Sequence, residues 1–558
     1  MMRGLAALAP ADERAENRGR PNSVVANRVA RIVSISGSQA IALRDRSSDD
    51  RIEIGALMKI RTPRSQVMGL VSAISCPLPD TGSDAENLEL IEINLAGEIA
   101  ADTATGGLVF HRGVAHLPSV GDAVSFASRE DLELVYFRPH AATIDVGHLR
   151  QNPDVPARLL VDDLLAKHFL VVGTTGSGKS SAISCILQGL LEEHPYAHVV
   201  ILDVHNEYAS TFGARAEIID PINLRLPFWL MNFEELTTAF TGDDENRNEE
   251  AEVLAEAVLA AKRRYSDARS SRLRKATDGA SIRVDTPAPF RLSDLTAFID
   301  ERLGRLEKTQ NVLPLRRLKN RIETLVSDPR FAFMFGSLVI EDTMGAILGR
   351  IFRIPIEGRP ITVLNLSSVP AEVLDIVISV ISRLAFDLGV WSEGAMPMLI
   401  VCEEAHRYAP PGTVGKFMPT RKALAQIARE GRKYGVSLAL VTQRPSELDP
   451  AILSQCSTII AMRLSTERDH QVIRANSHEG AVDLLDFLPL LGEREAIVLG
   501  QGVIMPMRIK FRDLGASKGA LGQRKSFSAA WKDPKASLAT LDEVVRSWRS
   551  ASKSGLEE

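Results

Sequence analysis

The chain is poor in the features that mark several large classes of protein. It has 4 cysteines among 558 residues. Cys76, Cys185, Cys402 and Cys456 show none of the spacing of a metal-ligand set. Three of them fall within apolar patterns, so they read as small core residues in a reducing compartment rather than as a disulfide framework. No apolar run approaches the roughly 20 residues that a membrane-spanning helix needs, so no membrane partner is expected. Residues 1–21 hold one short apolar patch followed by many charges. That is too weak for a secretory signal; it reads as a loose tail, and the expected location is cytoplasmic. Neither sign of charge dominates. With 66 basic and 71 acidic side chains the net charge is −5, which argues against a surface coated with basic residues for nucleic acid but leaves room for a locally basic groove or pore.

What remains is an ordinary globular composition, 45% hydrophobic and 25% charged, with length for roughly three or four domains. One stretch organises it. Phe169-Leu170-Val171-Val172 reads as a buried strand. It breaks into Gly173-Thr174-Thr175-Gly176-Ser177-Gly178-Lys179-Ser180, followed by Ser181 and a helical pattern with Ala182, Ile183, Ile186, Leu187, Leu190 and Leu191 on one side. Strand, Gly-x-x-x-x-Gly-Lys-Ser and helix is the phosphate-binding loop in its required context. Its glycines let backbone N–H groups close round phosphates, and the helix N-terminus adds positive potential. Lys179 would reach the β- and γ-phosphates of ATP, and the Ser180 hydroxyl would hold Mg²⁺. A transporter ATPase would need Leu-Ser-Gly-Gly-Gln and a GTPase Asn-Lys-x-Asp; neither occurs.

The chain divides around this loop. Residues 1–23 form a tail. Over 24–130 short β-like pieces alternate with Gly- and Pro-containing breaks, as in a small barrel or sandwich suited to assembly, docking or a purely structural role. Residues 145–160, with Asn152-Pro153 and Val155-Pro156, look like a connector. The first part of an α/β core spans 145–232. A charge-rich helical insertion covers 233–348; its basic run, Lys262, Arg263, Arg264, Arg269, Arg272, Arg274 and Lys275, reads as a solvated face rather than a nucleic-acid site. The core resumes over 349–512, with strand-like segments at 361–366, 398–402, 437–441, 458–462 and 496–499. Strands alternating with helices imply a mainly parallel sheet covered on both faces. The tail, 513–558, holds one amphipathic helix, with Leu538, Leu541, Val544, Val545 and Trp548, as an intramolecular brace or a grip on a neighbour.

An ATPase also needs an acid near Mg²⁺ and a base that orients the attacking water. Met398-Leu399-Ile400-Val401-Cys402-Glu403-Glu404 offers both at the end of a buried strand, where ligands bind in such sheets. Glu403 would coordinate Mg²⁺ through water, and Glu404 would polarise the water. The strand 437–441 runs into Thr442-Gln443-Arg444, so Gln443 is the candidate sensor of the γ-phosphate. Between these strands Leu424, Ile427 and Ala428 mark the buried side of a helix, which puts Arg429 and Arg432 elsewhere. Either is a surface residue or a cation reaching into a neighbouring subunit's phosphate site. Lys416, Arg421 and Lys422 are candidate nucleic-acid contacts or part of a solvated loop.

Gly-Thr-Thr-Gly-Ser-Gly-Lys-Ser at 173–180, Asp-Val-His-Asn-Glu-Tyr at 203–208, Glu-Glu-Ala-His-Arg-Tyr at 403–408, Ile-Ala-Arg-Glu-Gly-Arg-Lys-Tyr-Gly at 427–435 and Thr-Gln-Arg-Pro at 442–445 together resemble HerA. HerA is a hexameric DNA translocase of the FtsK–HerA group. The resemblance covers most of 24–512. It implies a RecA-like P-loop core, a HAS-type barrel at the N-terminus and a helical insertion. It implies Lys179 and Ser180 as the Walker A pair, Glu403 and Glu404 as Walker B acid and catalytic glutamate, and Arg429 as a trans-acting arginine finger. It also implies a homo-hexamer moving double-stranded DNA with ATP and Mg²⁺. The partner would be a NurA-type nuclease in end processing, or a nuclease or sirtuin-like effector in antiviral defence. The alternative is a nucleotide-dependent scaffold that activates its partner with little translocation. Three departures stand out: Lys167 where relatives often carry a second trans-acting arginine, Glu403 where Asp is commoner, and Asn206 where Gly is commoner.

Overall fold

The computed structural model describes residues 28–45, 51–76, 88–102, 106–138, 141–221, 223–241, 247–273, 282–305, 312–336, 340–367, 369, 371–412, 418–477, 479–514, 541–542 and 544–546. Lys416 and most of the amphipathic C-terminal segment, Leu538 and Trp548 included, lie outside them, as do residues 1–27. The chain forms two compact units, residues 1–134 and 135–558.

The first unit is built from β1 (Ala30–Ser36), β2 (Gln39–Asp45), β3 (Leu57–Arg61), β4 (Gln66–Ser75), β5 (Leu88–Ala101), β6 (Leu108–Arg112) and β7 (Ala123–Phe126). The order is β2-β1-β7-β3-β4-β5-β6, and β2 also pairs with β5, so six strands close on themselves. Closure removes the exposed edges that an open sheet of this size would present. Alternate residues fill the interior: Ile32, Ala40, Ala42, Met58, Ile60, Val67, Val71, Ile91, Ile93 and Val124. Gly97 marks the tightest approach, since a Cβ there would sit 2.4 Å from the His111 carbonyl oxygen.

The second unit holds β8 (Thr143–Leu149), β9 (Pro156–Leu160), β10 (Phe169–Val172), β11 (His198–Asp203), β12 (Ala216–Ile219), β13 (Ile361–Asn365), β14 (Met398–Cys402), β15 (Val436–Thr442), β16 (Thr458–Ala461), β17 (Glu495–Gly500) and β18 (Met507–Phe511). They make one sheet in the order β12-β13-β11-β14-β15-β10-β16-β17-β18-β8-β9. The first seven run parallel and the last four antiparallel. Apolar residues fill every position of β10, β14 and β16 except Thr458, as expected of strands covered on both faces. The α/β class with a mainly parallel sheet expected from the sequence is the class found. Among the described residues no helix is long and apolar enough to cross a membrane.

Residues 145–160 correct the reading of a connector. They form β8 and β9, a hairpin at the sheet's edge that pairs with β18, more than 350 residues later. The two prolines forbid helix but not an edge strand, and Pro156 opens β9. β8 and β9 pair with each other, but β18, which joins them to the sheet, is remote, so nothing local announces their place in it.

Between β12 and β13 lie helices Phe233–Thr241, Arg247–Leu273, Leu292–Arg305, Leu313–Ser327 and Met344–Phe352. Phe228, Phe290 and Phe335 pack around one another. Lys262, from the basic run, is buried here rather than solvated: its ammonium donates to the Val284 and Thr286 carbonyls. Burial pulls its pKa down to about 8. Arg263 and Arg264 are exposed or half-exposed, and the other four side chains lie outside the described set. Arg383, on helix Ala371–Trp391, clamps Glu235 of the first insertion helix through Nε at 3.2 Å and Nη2 at 3.0 Å.

Candidate nucleotide site

The loop after β10 owes its shape to backbone conformation. Gly176 and Gly178 have φ of +77° and +105°, values costly for any residue with a Cβ. Helix Lys179–Glu193 then begins with no side-chain cap on its first turn. Its free N–H groups and positive end are the elements that receive phosphate. Gly173, Thr174, Thr175, Gly176, Ser177 and Gly178 make the turn, and Ser180 and Ser181 follow Lys179, half-buried, on the first helical turn. The Lys179 ammonium donates to the Thr174 carbonyl at 3.3 Å, across the mouth of the loop. Burial draws its pKa below the usual range, against the pull of Glu404, Glu403 and Glu207.

Sheet order brings the other groups to this loop. β15 lies directly beside β10, and β14 beside β15. All three end on the same side because they are parallel, so the residues after each strand meet at one rim. Gln443 bridges the rim: its carbonyl accepts from the Thr175 hydroxyl at 2.6 Å, while its amide N–H groups donate to the Glu404 carboxylate. Glu404 is almost fully buried and has φ +49°, a left-handed conformation that costs a residue with a side chain about 1–3 kcal/mol. His406 Nδ1 stands 3.3 Å from its Oε2 and 2.9 Å from the Thr442 hydroxyl, packing the carboxylate against β15.

Glu403 points the other way along the rim. Its Oε2 accepts from the Tyr208 hydroxyl at 2.7 Å, and its backbone carbonyl from the Tyr408 hydroxyl at 3.0 Å. Burial pushes its carboxyl up to about 8, opposed by the Tyr208 hydrogen bond and the Lys179 charge and reinforced by Glu207 and Glu404.

The stretch after β11 had no assigned role from sequence, yet it completes the site. Asp203, fully buried, accepts from the backbone N–H of Glu207 at 3.1 Å and of Tyr208 at 2.9 Å, so its carboxylate folds the turn. Asn206 takes the left-handed conformation, φ +56°, that Gly would otherwise supply. The turn delivers Glu207 onto the Ser180 hydroxyl, which donates to Glu207 Oε2. The spacing Asp203-x-x-x-Glu207 is compatible with an acid-capped turn, but nothing in it says which loop Glu207 will face.

Ser180 and Glu207 meet at this helix N-terminus as hard oxygen donors of the kind Mg²⁺ takes. The Glu207, Glu403 and Glu404 carboxylates interact electrostatically with Lys179, but among the described residues no three acidic, His or Cys side chains form a group placed to hold a metal ion.

Arg429 stands apart. It ends helix Met418–Glu430, exposed, with Leu424, Ile427 and Ala428 buried behind it. Its guanidinium has no partner among the described residues, and Arg432 is likewise exposed. The helix end is fixed to the root of β10: His168 donates through Nε2 to the Ala428 carbonyl at 3.0 Å and accepts the Leu438 N–H on Nδ1 at 2.9 Å. Lys167, next to it, is half-buried. Arg421 and Lys422 sit on the same helix, not in a loop. Each has an acidic neighbour in its own chain, Asp449 at 3.5 Å for Arg421 and Glu234 for Lys422.

Residues 144–385 match the family described as "Helicase HerA, central domain". The chain is 26% identical over 452 residues to the DNA double-strand break repair helicase HerA of Pyrococcus furiosus, covering 72% of this chain and 75% of that one. It is 28% identical over 438 residues to the protein of the same name from Sulfolobus acidocaldarius, covering 77% and 79%. Among solved structures, VirB4 of Thermoanaerobacter pseudethanolicus matches with a TM-score of 0.47 at 15% identity, over 68% of this chain and 99% of that chain.

Proposed function

From the chain's membership of the HerA family, we propose that it is an ATP-driven motor that moves along or unwinds double-stranded DNA as a homo-hexameric ring. Its partner is a nuclease or another effector enzyme, in DNA end processing or in antiviral defence. The observation that carries the reading is the meeting of Lys179, Ser180, Glu403, Glu404 and Gln443 at one rim of a parallel sheet. The similarity to DNA double-strand break repair helicases supplies the DNA.

Each residue has a task that its position supports. The loop amides and Lys179 hold the phosphates of ATP. Ser180, Glu403 and Glu207 would hold Mg²⁺, which neutralises charge on the β- and γ-phosphates when bound. Glu404, kept in place by Gln443 and His406, orients the attacking water and accepts its proton. Gln443 touches both Thr175 of the loop and Glu404, so it reports the state of the γ-phosphate to the base. Arg429 is exposed and has no partner among the described residues, which leaves it free for a role at the phosphates of an adjoining subunit; a ring supplies that neighbour for every copy.

The test is ATP turnover with and without duplex DNA across a salt series. Turnover should rise with DNA, and the stimulation should fade with salt as counterion release predicts. Glu404→Gln should abolish turnover while leaving ATP bound. Hydrolysis indifferent to DNA at every salt concentration would instead favour a scaffold that activates its partner.

A further inference from the structure

One cation meets the phosphate loop from the flank opposite Glu404. Arg494, the residue before β17, has φ +61°, a conformation that a residue with a long side chain keeps only when its surroundings impose it. Here they do. Its N–H donates to the Ser177 carbonyl inside the loop at 2.9 Å, and its own carbonyl accepts the Phe511 N–H at 2.9 Å. A Cβ on Gly178 would lie 3.0 Å from the Arg494 Cγ, so the aliphatic stem runs along the loop where it enters the helix. The side chain is 27% exposed. One end, Nη1, pairs with Asp513 Oδ2 at 2.8 Å, and Asp513 is itself 70% exposed. The Nε atom is buried and makes no hydrogen bond.

Sheet order decides what this cation faces. β14 and β15, which carry Glu403, Glu404 and Gln443, lie on one flank of β10; β16 and β17 lie on the other. A nucleotide whose γ-phosphate is directed at Glu404 and Gln443 extends its α-phosphate and ribose towards the second flank. A planar guanidinium released from Asp513 matches a phosphodiester-like oxygen pair there.

We propose that Arg494 is a nucleotide-binding residue of this chain's own site, taking the α-phosphate end of the nucleotide. Asp513 is its competitor: the carboxylate holds the guanidinium in the nucleotide-free protein and gives it up on binding. This rests on the reading that the loop binds ATP.

Binding of ATP and of ADP, measured by calorimetry on the full chain, tests it. Arg494→Ala should weaken both nucleotides tenfold or more and by similar factors, because the α-phosphate is common to them. Asp513→Asn, at an exposed position, should tighten both severalfold. In the Arg494→Ala background Asp513→Asn should change nothing. An Arg494→Ala protein within twofold of wild type would overturn the proposal. So would a loss confined to ATP, or weakened binding in Asp513→Asn. If wild type binds neither nucleotide, the nucleotide site itself fails; if it binds both and the variants do not shift, only the role of Arg494 does.

Discussion

Glu207 offers a measurement that separates a Mg²⁺-binding role from a structural one. Its backbone N–H is held by Asp203 and its carboxylate lies on the Ser180 hydroxyl. Glu207→Gln keeps the turn, because the capping bond comes from the main chain, and keeps a side chain of the same length. It removes one negative charge beside the ion. The screening of bulk water gives a lower limit for this half-buried side chain. Two unit charges about 4 Å apart are then worth about 1 kcal/mol, and a divalent ion doubles this to about 2 kcal/mol. That corresponds to roughly 30-fold in affinity, within the 10–100-fold range seen when groups that support a metal's ligands are changed. The assay is ATP turnover at saturating ATP, titrated with Mg²⁺. The half-saturating Mg²⁺ concentration should rise about 30-fold, with maximal turnover largely restored at high Mg²⁺. ATP binding measured in EDTA should be unchanged or tighter. An unshifted Mg²⁺ titration, or weaker ATP binding in EDTA, would refute the reasoning.

Two further outcomes concern Glu403 and Arg429. Burial raises the Glu403 carboxyl from 4.5 to about 8, so its contribution to stability is fully present below pH 4.5 and is lost as pH rises through 8. In EDTA, Glu403→Gln should therefore gain thermal stability over wild type progressively between pH 5.5 and 8.5, and a difference that stays flat across that range would contradict the assignment. For Arg429, mixing Arg429→Ala subunits with Glu404→Gln subunits should recover part of the turnover that each lacks alone, since some boundaries then pair an intact Glu404 with an intact Arg429. Loss of such an arginine costs about 10³ or more in rate, so recovery is readable. If wild type mixed with Glu404→Gln hydrolyses ATP while the two-mutant mixture stays silent, Arg429 does not act in trans.

The sequence by itself determined whatever is local in the chain. The eight residues 173–180, their strand and their helix are contiguous, and the glycine conformations that shape the loop are properties of single residues. The apolar run of β14 and the two acids after it are equally readable, because a buried parallel strand needs no partner to be recognisable by composition. Asn206 is a residue type that accepts the left-handed conformation it adopts. Tertiary structure decided which of these pieces meet. Gln443 reaches both Thr175 and Glu404 only because β15 is inserted between β10 and β14, and strand order across crossovers of up to hundreds of residues is not written in any window of the chain. Glu207 lands on Ser180 for the same reason. β8 and β9 pair with each other, but their place in the sheet went unread because β18, which joins β8 to it, lies more than 350 residues later. Lys262 looked like one charge in a solvated run until two backbone carbonyls and a phenyl ring enclosed it. Residue type limits what chemistry a side chain can do; the partner that makes it do it comes from packing, and packing joins residues that the sequence keeps apart.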